Sequence, residues 1–190
     1  HEELALAYFM LGDFEQALAH FETATILDPK RGTAFVNMGA VYNRLKRYDK
    51  AVDMLNKGIR CNLRSSEAYY NLGIAYRHLK EWNLAITAYK EALRLEPQMA
   101  EGYQNLGNVY LEMNNPQMAQ QQYKKALEFR PGFERARRGL EKCENLISAE
   151  KRAEKPFGRL VTDDTLLRSI TESAIIRQKH LNEEQRQTDR

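Results

Sequence analysis

Apolar and small residues recur along the first two thirds of the chain with the spacing of amphipathic helices. One stretch shows two such stripes in succession, formed by Tyr69, Leu72, Ala75 and Tyr76, and then by Ala85, Ala88, Tyr89 and Ala92. Positions three and four residues apart lie on one face of an α-helix, so each stripe predicts a helix with one buried side. The two stripes together predict an antiparallel helix pair.

This helix pair returns every 34 residues without an insertion. The columns in register include Gly39, Gly73 and Gly107; Tyr8, Tyr42, Tyr76 and Tyr110; and Ala17, Ala51, Ala85 and Ala119. Several independent columns in one register indicate tandem repeats. A single pair cannot bury both of its faces, whereas stacked neighbours can, so the pattern predicts a solenoid.

The third and fourth units carry the fullest motif. It reads Tyr69, Leu72, Gly73, Tyr76, Ala85, Tyr89, Ala92 and Pro97 in one, and Tyr103, Leu106, Gly107, Tyr110, Ala119, Tyr123, Ala126 and Pro131 in the other. This arrangement resembles the tetratricopeptide repeat, whose period is 34 residues. The resemblance implies an all-α fold, a right-handed superhelical solenoid of antiparallel helix pairs.

The register also predicts the limits of each segment. We expect a truncated unit over 1–31, full units over 32–65, 66–99 and 100–133, a capping helix over 134–153, a linker over 154–162 and a C-terminal amphipathic helix over 163–190 that frays at its end. The capping helix is predicted because Ala136, Leu140 and Cys143 share one helical face while the opposite face is charged, as the end of an array requires.

The second unit departs from the motif at two positions. Gly58 stands where the other units have alanine, and Leu63 stands where they have the terminating proline. Glycine inside a helix costs about 0.5–1 kcal/mol relative to alanine. We therefore expect the junction between the second and third units to be the loosest part of the array.

Composition and motifs argue against most kinds of chemistry. The 190 residues include 29 basic and 26 acidic side chains, a balance that predicts no nucleic-acid partner, and no apolar stretch is long enough to predict a membrane partner. The histidines lack metal-ligand spacing, and Cys61 and Cys143 are expected in the core. Without a phosphate loop or a nucleophile motif, we predict no enzyme, no metal and no cofactor.

A column of asparagines is the strongest candidate for a binding site. The family resemblance implies that the first helix of each unit lines a concave groove, with Asn37, Asn71 and Asn105 facing into it. An amide offers both a donor and an acceptor to a peptide backbone. The column resembles the asparagine ladder of the O-GlcNAc transferase repeat region. The alternative is that these amides bridge neighbouring helices.

The register carries further residues into the predicted groove, namely Arg44, Tyr70, Arg77, His78, Gln104 and Asn108. Family members that bind acidic chaperone tails use a clamp of lysines, asparagines and an arginine. Glu67 stands where that clamp needs a lysine, and Asn71 where it needs an arginine. We therefore expect an acidic C-terminal tail to be repelled.

The residues after the array are more apolar than an inert linker requires. Candidate docking residues in this tail are Phe157, Leu160, Val161, Leu166, Leu167 and Ile170. The tail could pack on the end of the array, dock in a groove of its own or a neighbouring chain, bind another protein, or be disordered.

These features predict a protein–protein interaction scaffold that binds an extended or helical polypeptide of unknown identity. Two alternatives stay open: a self-assembly or autoinhibitory module acting through the tail, which would allow a homo-oligomer, and the repeat portion of a larger enzyme such as a glycosyltransferase. Because the chain begins at His1, we expect further repeats upstream. The sequence assigns no compartment, so the cytoplasm is only a default.

Overall fold

Helices in tandem make up the part of the chain that the computed structural model describes, residues 1–61, 64–153, 168 and 170–179. They are α1 (Glu2–Leu11), α2 (Phe14–Leu27), α3 (Gly32–Arg44), α4 (Tyr48–Arg60), α5 (Ser66–His78), α6 (Trp82–Leu95), α7 (Ala100–Glu112), α8 (Pro116–Phe129) and α9 (Glu134–Ala153). These residues contain no strand. The predicted all-α class is confirmed, whereas the exact limits of the units stay predictions.

The ends of the helices follow local sequence signals. α2, α6 and α8 each stop two residues before Pro29, Pro97 and Pro131, because proline disfavours helical backbone at the residue before it. The side chain of Asn115 accepts a hydrogen bond from the backbone N–H of Met118, and Pro116 occupies the first turn of α8. A first-turn proline loses little, since its N–H would lack a helical partner in any case.

The glycine column marks where the two helices of a pair approach most closely. The Cβ of a replacement residue would lie 2.6 Å from Tyr89 Cε1 at Gly73, 2.8 Å from Tyr123 Cε1 at Gly107 and 2.5 Å from Leu55 Cγ at Gly39. The three partners are fully buried. Each pair therefore closes by seating one large side chain of its second helix on a glycine of its first.

Gly58 has a packing role that the sequence pattern did not indicate. A Cβ at this position would lie 2.7 Å from Val36 Cγ2 and 2.9 Å from the backbone oxygen of Gly32. The close contact between α3 and α4 thus depends on glycine here, so Gly58 has a packing role in addition to the helical penalty that we expected. Leu63 lies outside the described residues, and the looseness of this junction stays a prediction.

Successive pairs stack so that each helix from α1 to α7 contacts the next one in the chain. In addition, α3 contacts α5 and α5 contacts α7. The helices α3, α5 and α7 thus form one continuous layer, and α1 adjoins α3 where Leu6, Phe9, Asn37 and Ala40 line one pocket. We call the outer surface of this layer, which carries Leu6, Asn37, Asn71, Arg77 and Asn105, the odd-helix face.

The helix α9 covers the last pair. Ala136 and Cys143 are fully buried, and a Cβ at Gly139 would lie 2.5 Å from Tyr123 Cζ. Tyr123 is therefore enclosed by a glycine of α7 on one side and a glycine of α9 on the other. Cys143 is a core residue as expected, whereas Cys61 is only half-buried.

Two compact units divide the chain, His1–Ser148 and Ala149–Arg190. In the second unit, residues 170–179 are helical, and Ile170, Ile175 and Ile176 are each more than half exposed. The other predicted docking residues lie outside the described part of the chain: Phe157, Leu160, Val161, Leu166 and Leu167. None of the described helices is both long enough and apolar enough to cross a bilayer.

Candidate functional site

The odd-helix face carries most of the predicted groove residues, but they differ in accessibility. Half-buried members are Asn37, Tyr70, Asn71, Arg77, Asn105 and Asn108. Arg44 and His78 are exposed. Gln104 is only 8% exposed, because its position turns toward the interior of the stack. We therefore leave Gln104 out of the set that could contact a ligand.

Asn71 lies at the middle of the column, and its side-chain amide is already partly hydrogen-bonded. Its Nδ2 donates to the backbone oxygen of Glu67, one turn earlier in α5, at 2.9 Å. The Nδ2 of Asn43 in α3 donates to the backbone oxygen of Asn71, also at 2.9 Å. Asn43 thus bridges two repeats, while Asn71 keeps its own side-chain oxygen for another donor.

Asn105 belongs to a continuous network that ties three helices together. Its Nδ2 donates to the Tyr70 hydroxyl at 2.9 Å, and its Oδ1 accepts from Asn108 Nδ2 at 3.4 Å. The Tyr123 hydroxyl donates to Asn108 Oδ1 at 2.7 Å. Burial, followed by the charge of Glu101, raises the pKa of Tyr70, so its hydroxyl stays protonated at neutral pH. At this end of the column the amides bridge helices.

Asn37 has no hydrogen-bond partner within the described residues. It borders a small pocket whose other walls are Leu6, Phe9, Phe21 and Ala40. The pocket holds about 40 Å³, which is room for roughly three water-sized groups, since one water needs about 10–15 Å³ on this scale. Sequence reasoning missed this pocket, although Leu6 and Phe9 were visible as apolar residues, and the Phe9 position is polar in the next two units, as Asn43 and Arg77.

A different kind of surface lies at the far end of α5 and α7. The Arg77 guanidinium donates from Nε at 2.9 Å and from Nη2 at 2.6 Å to the same oxygen of Glu112. This pair is the common wall of two open pockets. One holds about 310 Å³ and is also lined by Asn108, Leu111 and Lys142; the other holds about 400 Å³ and is also lined by His78, Lys80 and Trp82.

Sequence reasoning placed Arg77, His78 and Asn108 in the groove but not the two lysines that accompany them. Lys80 follows α5 in the turn to α6, with a positive φ of 61°. Lys142 comes from α9 and reaches the pocket only because that helix covers the last pair. The repeat register could have indicated Lys80, since it follows Lys46 by one period. It could not have indicated Lys142, which lies beyond the repeats.

His78 is held against the preceding repeat. Its ring stacks on Tyr48, with centroids 4.4 Å apart and planes 7° from parallel. Burial lowers the pKa of His78, and the neighbouring charge of Arg77 lowers it further. The imidazole is therefore neutral at pH 7 and can serve as an acceptor or a donor.

Equivalent tyrosines in successive pairs differ in how their hydroxyls are satisfied. Tyr89 and Tyr123 are both buried and lie one period apart. The Tyr123 hydroxyl reaches Asn108, but Ile74 occupies the matching position one repeat earlier. Accordingly, the Tyr89 hydroxyl has no partner in the described chain.

The comparison with known families agrees with the geometry. A family model described as tetratricopeptide repeat matches residues 1–64, 30–98 and 64–131. The anaphase-promoting complex subunit cut9 of Schizosaccharomyces pombe is 34% identical over 64 residues, which are 30% of this chain and 10% of that protein. The alignment thus spans a small part of that relative.

Solved structures show the same fold. The crystal structure of MamA superposes with a TM-score of 0.72 at 25% identity, over 92% of this chain and 99% of that one. YrrB, whose crystal structure is described as a TPR protein with an unusual peptide-binding site, gives a TM-score of 0.66 at 24% identity, over 77% of this chain and 76% of that one.

Proposed function

The chain belongs to the tetratricopeptide repeat family, and from this premise we propose that its repeats bind an extended or helical polypeptide segment of a partner protein along the odd-helix face. The observation that supports this most directly is the unused hydrogen-bonding capacity of Asn37. A half-buried amide without an internal partner breaks no hydrogen bond within the protein when it binds a peptide backbone. The proposal assigns these residues no catalytic role.

The charge at the start of α5 limits the ligand. Glu67 accepts hydrogen bonds from Ser65 Oγ at 2.7 Å and Ser66 Oγ at 3.4 Å. The bond from Ser65 is the main cause that lowers the pKa of Glu67, so the carboxylate is charged at pH 7. This charge supports the expectation that a C-terminal carboxylate is not held at Asn71 and Glu67.

A second function is favoured by the exposed isoleucines of residues 170–179, whose side chains Ile170, Ile175 and Ile176 are each more than half exposed. We propose that this helix mediates self-association. Deleting 154–190 should then reduce the number of chains per particle measured by analytical ultracentrifugation. An unchanged number of chains per particle would contradict this second proposal.

The scaffold proposal can be tested with a random peptide library displayed on phage and selected on the immobilised chain. We expect enrichment of a consensus sequence and a loss of about tenfold in affinity when Asn37 is replaced by alanine, since a lost buried hydrogen bond costs about 1.4 kcal/mol. Asn83→Ala is the matched control, because Asn83 is an exposed asparagine on the second helix of its pair. Equal losses for both variants, or no enrichment, would contradict the proposal.

A further inference from the structure

The chemistry of the odd-helix face changes along the array at equivalent repeat positions. One column runs Leu6, Ala40, Ile74, Asn108; the next runs Phe9, Asn43, Arg77, Leu111; a third runs Met10, Arg44, His78, Glu112. In each of these columns the first unit supplies an apolar residue. Charged residues enter with the second and third units. The two ends of this face therefore suit different parts of a ligand.

The first end accepts an apolar side chain. The pocket beside Asn37 is walled by Leu6, Phe9, Phe21 and Ala40, so no ionisable group lines it. Its volume of about 40 Å³ fits the branched end of a valine or leucine side chain. Asn37 stands at its edge, where its free amide can meet the backbone of the residue that fills the pocket.

The second end carries an excess of positive charge. Among the described residues that line its two pockets, Arg77, Lys80 and Lys142 are cationic, and Glu112 is the acidic one. Arg77 spends two of its five N–H donors on Glu112, which leaves three for another carboxylate. The Arg77 side chain is 23% exposed, so those donors are shielded enough for a charged hydrogen bond to matter.

We propose that the bound segment is bipartite, with an aliphatic side chain in the Leu6–Ala40 pocket and an aspartate or glutamate side chain at Arg77. This inference rests on the proposed function. The axes of packed helices lie about 10 Å apart. Leu6 lies on α1 and Arg77 on α5, with α3 between them, so the two sites are about 20 Å apart. An extended chain advances about 3.3 Å per residue, which places the two anchor residues about six positions apart.

The acidic anchor is compatible with the repulsion expected from Glu67. That residue lies ten positions before Arg77 in the same helix, a distance of about 15 Å at 1.5 Å per residue. A side-chain carboxylate at Arg77 is therefore separated from Glu67 by more than the Debye length at physiological salt, about 8 Å. The site differs in position and in ligand group from a clamp for a terminal carboxylate.

The phage selection provides the first test. We expect the consensus to contain an aliphatic residue and an acidic residue about six positions apart. A synthetic peptide of that consensus is then compared with its Glu→Gln counterpart on the wild-type chain and on Arg77→Gln. The acidic peptide should lose about tenfold in affinity on Arg77→Gln, or about 1.4 kcal/mol, because the variant removes hydrogen bonds between charged groups. The Gln peptide should be indifferent to the change, as a double-mutant cycle requires.

A second variant tests the same inference if Arg77→Gln does not fold. Lys80→Asn with Lys142→Gln removes two cations, and asparagine tolerates the positive φ of residue 80. It should weaken the acidic peptide more than the Gln peptide, whereas Lys124→Gln, on the exposed surface of α8, should weaken neither. Enrichment without the aliphatic–acidic pair, or no coupling in the cycle, would overturn this inference and leave the scaffold proposal standing. Failure to enrich any peptide would overturn both.

Discussion

Asn37 in α3 and Asn105 in α7 occupy the same repeat position two units apart, yet their surroundings differ. Asn105 donates to Tyr70 and accepts from Asn108, so its amide helps to fix α7 against α5. Asn37 has no such partner within the described part of the chain and stands beside an apolar pocket. The column is asparagine in all three units, but the contacts of these side chains differ.

The difference arises from neighbours that the repeat does not conserve. Tyr70 and Asn108 provide partners for Asn105, whereas the matching positions beside Asn37 are occupied by Glu2 and Ala40. An amide becomes structural where a nearby hydroxyl or amide can reach it, and stays free where it faces alkyl groups. Tandem repeats thus share one framework while the chemistry of their exposed face changes from unit to unit.

The largest expected effect concerns the glycine contact within each helix pair, which the unit of Asn37 and the unit of Asn105 have in common. Gly39→Val and Gly107→Val should each destabilise the chain by about 3 kcal/mol, because the new side chain would overlap a buried partner in the same pair. Gly132→Val is the control, since nothing lies within 4 Å of a Cβ at that position. Urea unfolding monitored by circular dichroism measures all three. A much smaller loss of unfolding free energy at Gly39 than at Gly107 would show that the two units do not depend equally on this glycine contact.

The next effect separates the two equivalent tyrosines. Tyr123→Phe should cost about 1.5 kcal/mol, because it leaves Asn108 Oδ1 without its donor in a half-buried site. Tyr89→Phe should be neutral or stabilising, because its hydroxyl is buried without a partner. The same unfolding measurement tests the pair. Equal losses for both variants would mean that the contact between Tyr123 and Asn108 contributes nothing to stability.

A smaller effect is expected for the asparagine column itself. Asn105→Ala should lower the free energy of unfolding by about 1 kcal/mol, the value of a typical hydrogen bond in a folded protein. Asn37→Ala should leave stability within about 0.5 kcal/mol of the wild-type value, as surface changes usually do. Thermal unfolding of the two variants in parallel makes the comparison. A greater loss at Asn37 would reverse the assignment of free and structural amides.

The smallest effect is a dependence on pH at His78. Its pKa is lowered in the folded state by burial and by Arg77, so the unfolded state binds a proton more readily. Stability linked to this group is therefore complete above the unfolded pKa, near 6.5, and is lost as the pH falls below it. Between pH 7.5 and 5.5 the wild-type chain should lose more stability in urea unfolding than His78→Gln. Identical losses would assign the pH dependence to other groups.

The features that the repeat imposes on every unit could be predicted from the sequence. The 34-residue register and the prolines predicted the helix pairs. Features that depend on a single side chain in one unit could not be predicted. The need for glycine at position 58 comes from a contact with the backbone of Gly32, and the place of Lys142 comes from how α9 covers the last pair. The burial of Gln104 follows from its turn toward the interior of the stack.

Asn37 is thus proposed to be free to bind a ligand, while Asn105 is hydrogen-bonded within the fold. The most direct test is the side-chain amide NMR signals of ¹⁵N-labelled protein, titrated with the consensus peptide from the phage selection. We expect a large chemical-shift change for the Asn37 amide, a smaller one for Asn71 and little change for Asn105. A response at Asn105 with Asn37 unmoved would contradict this proposal.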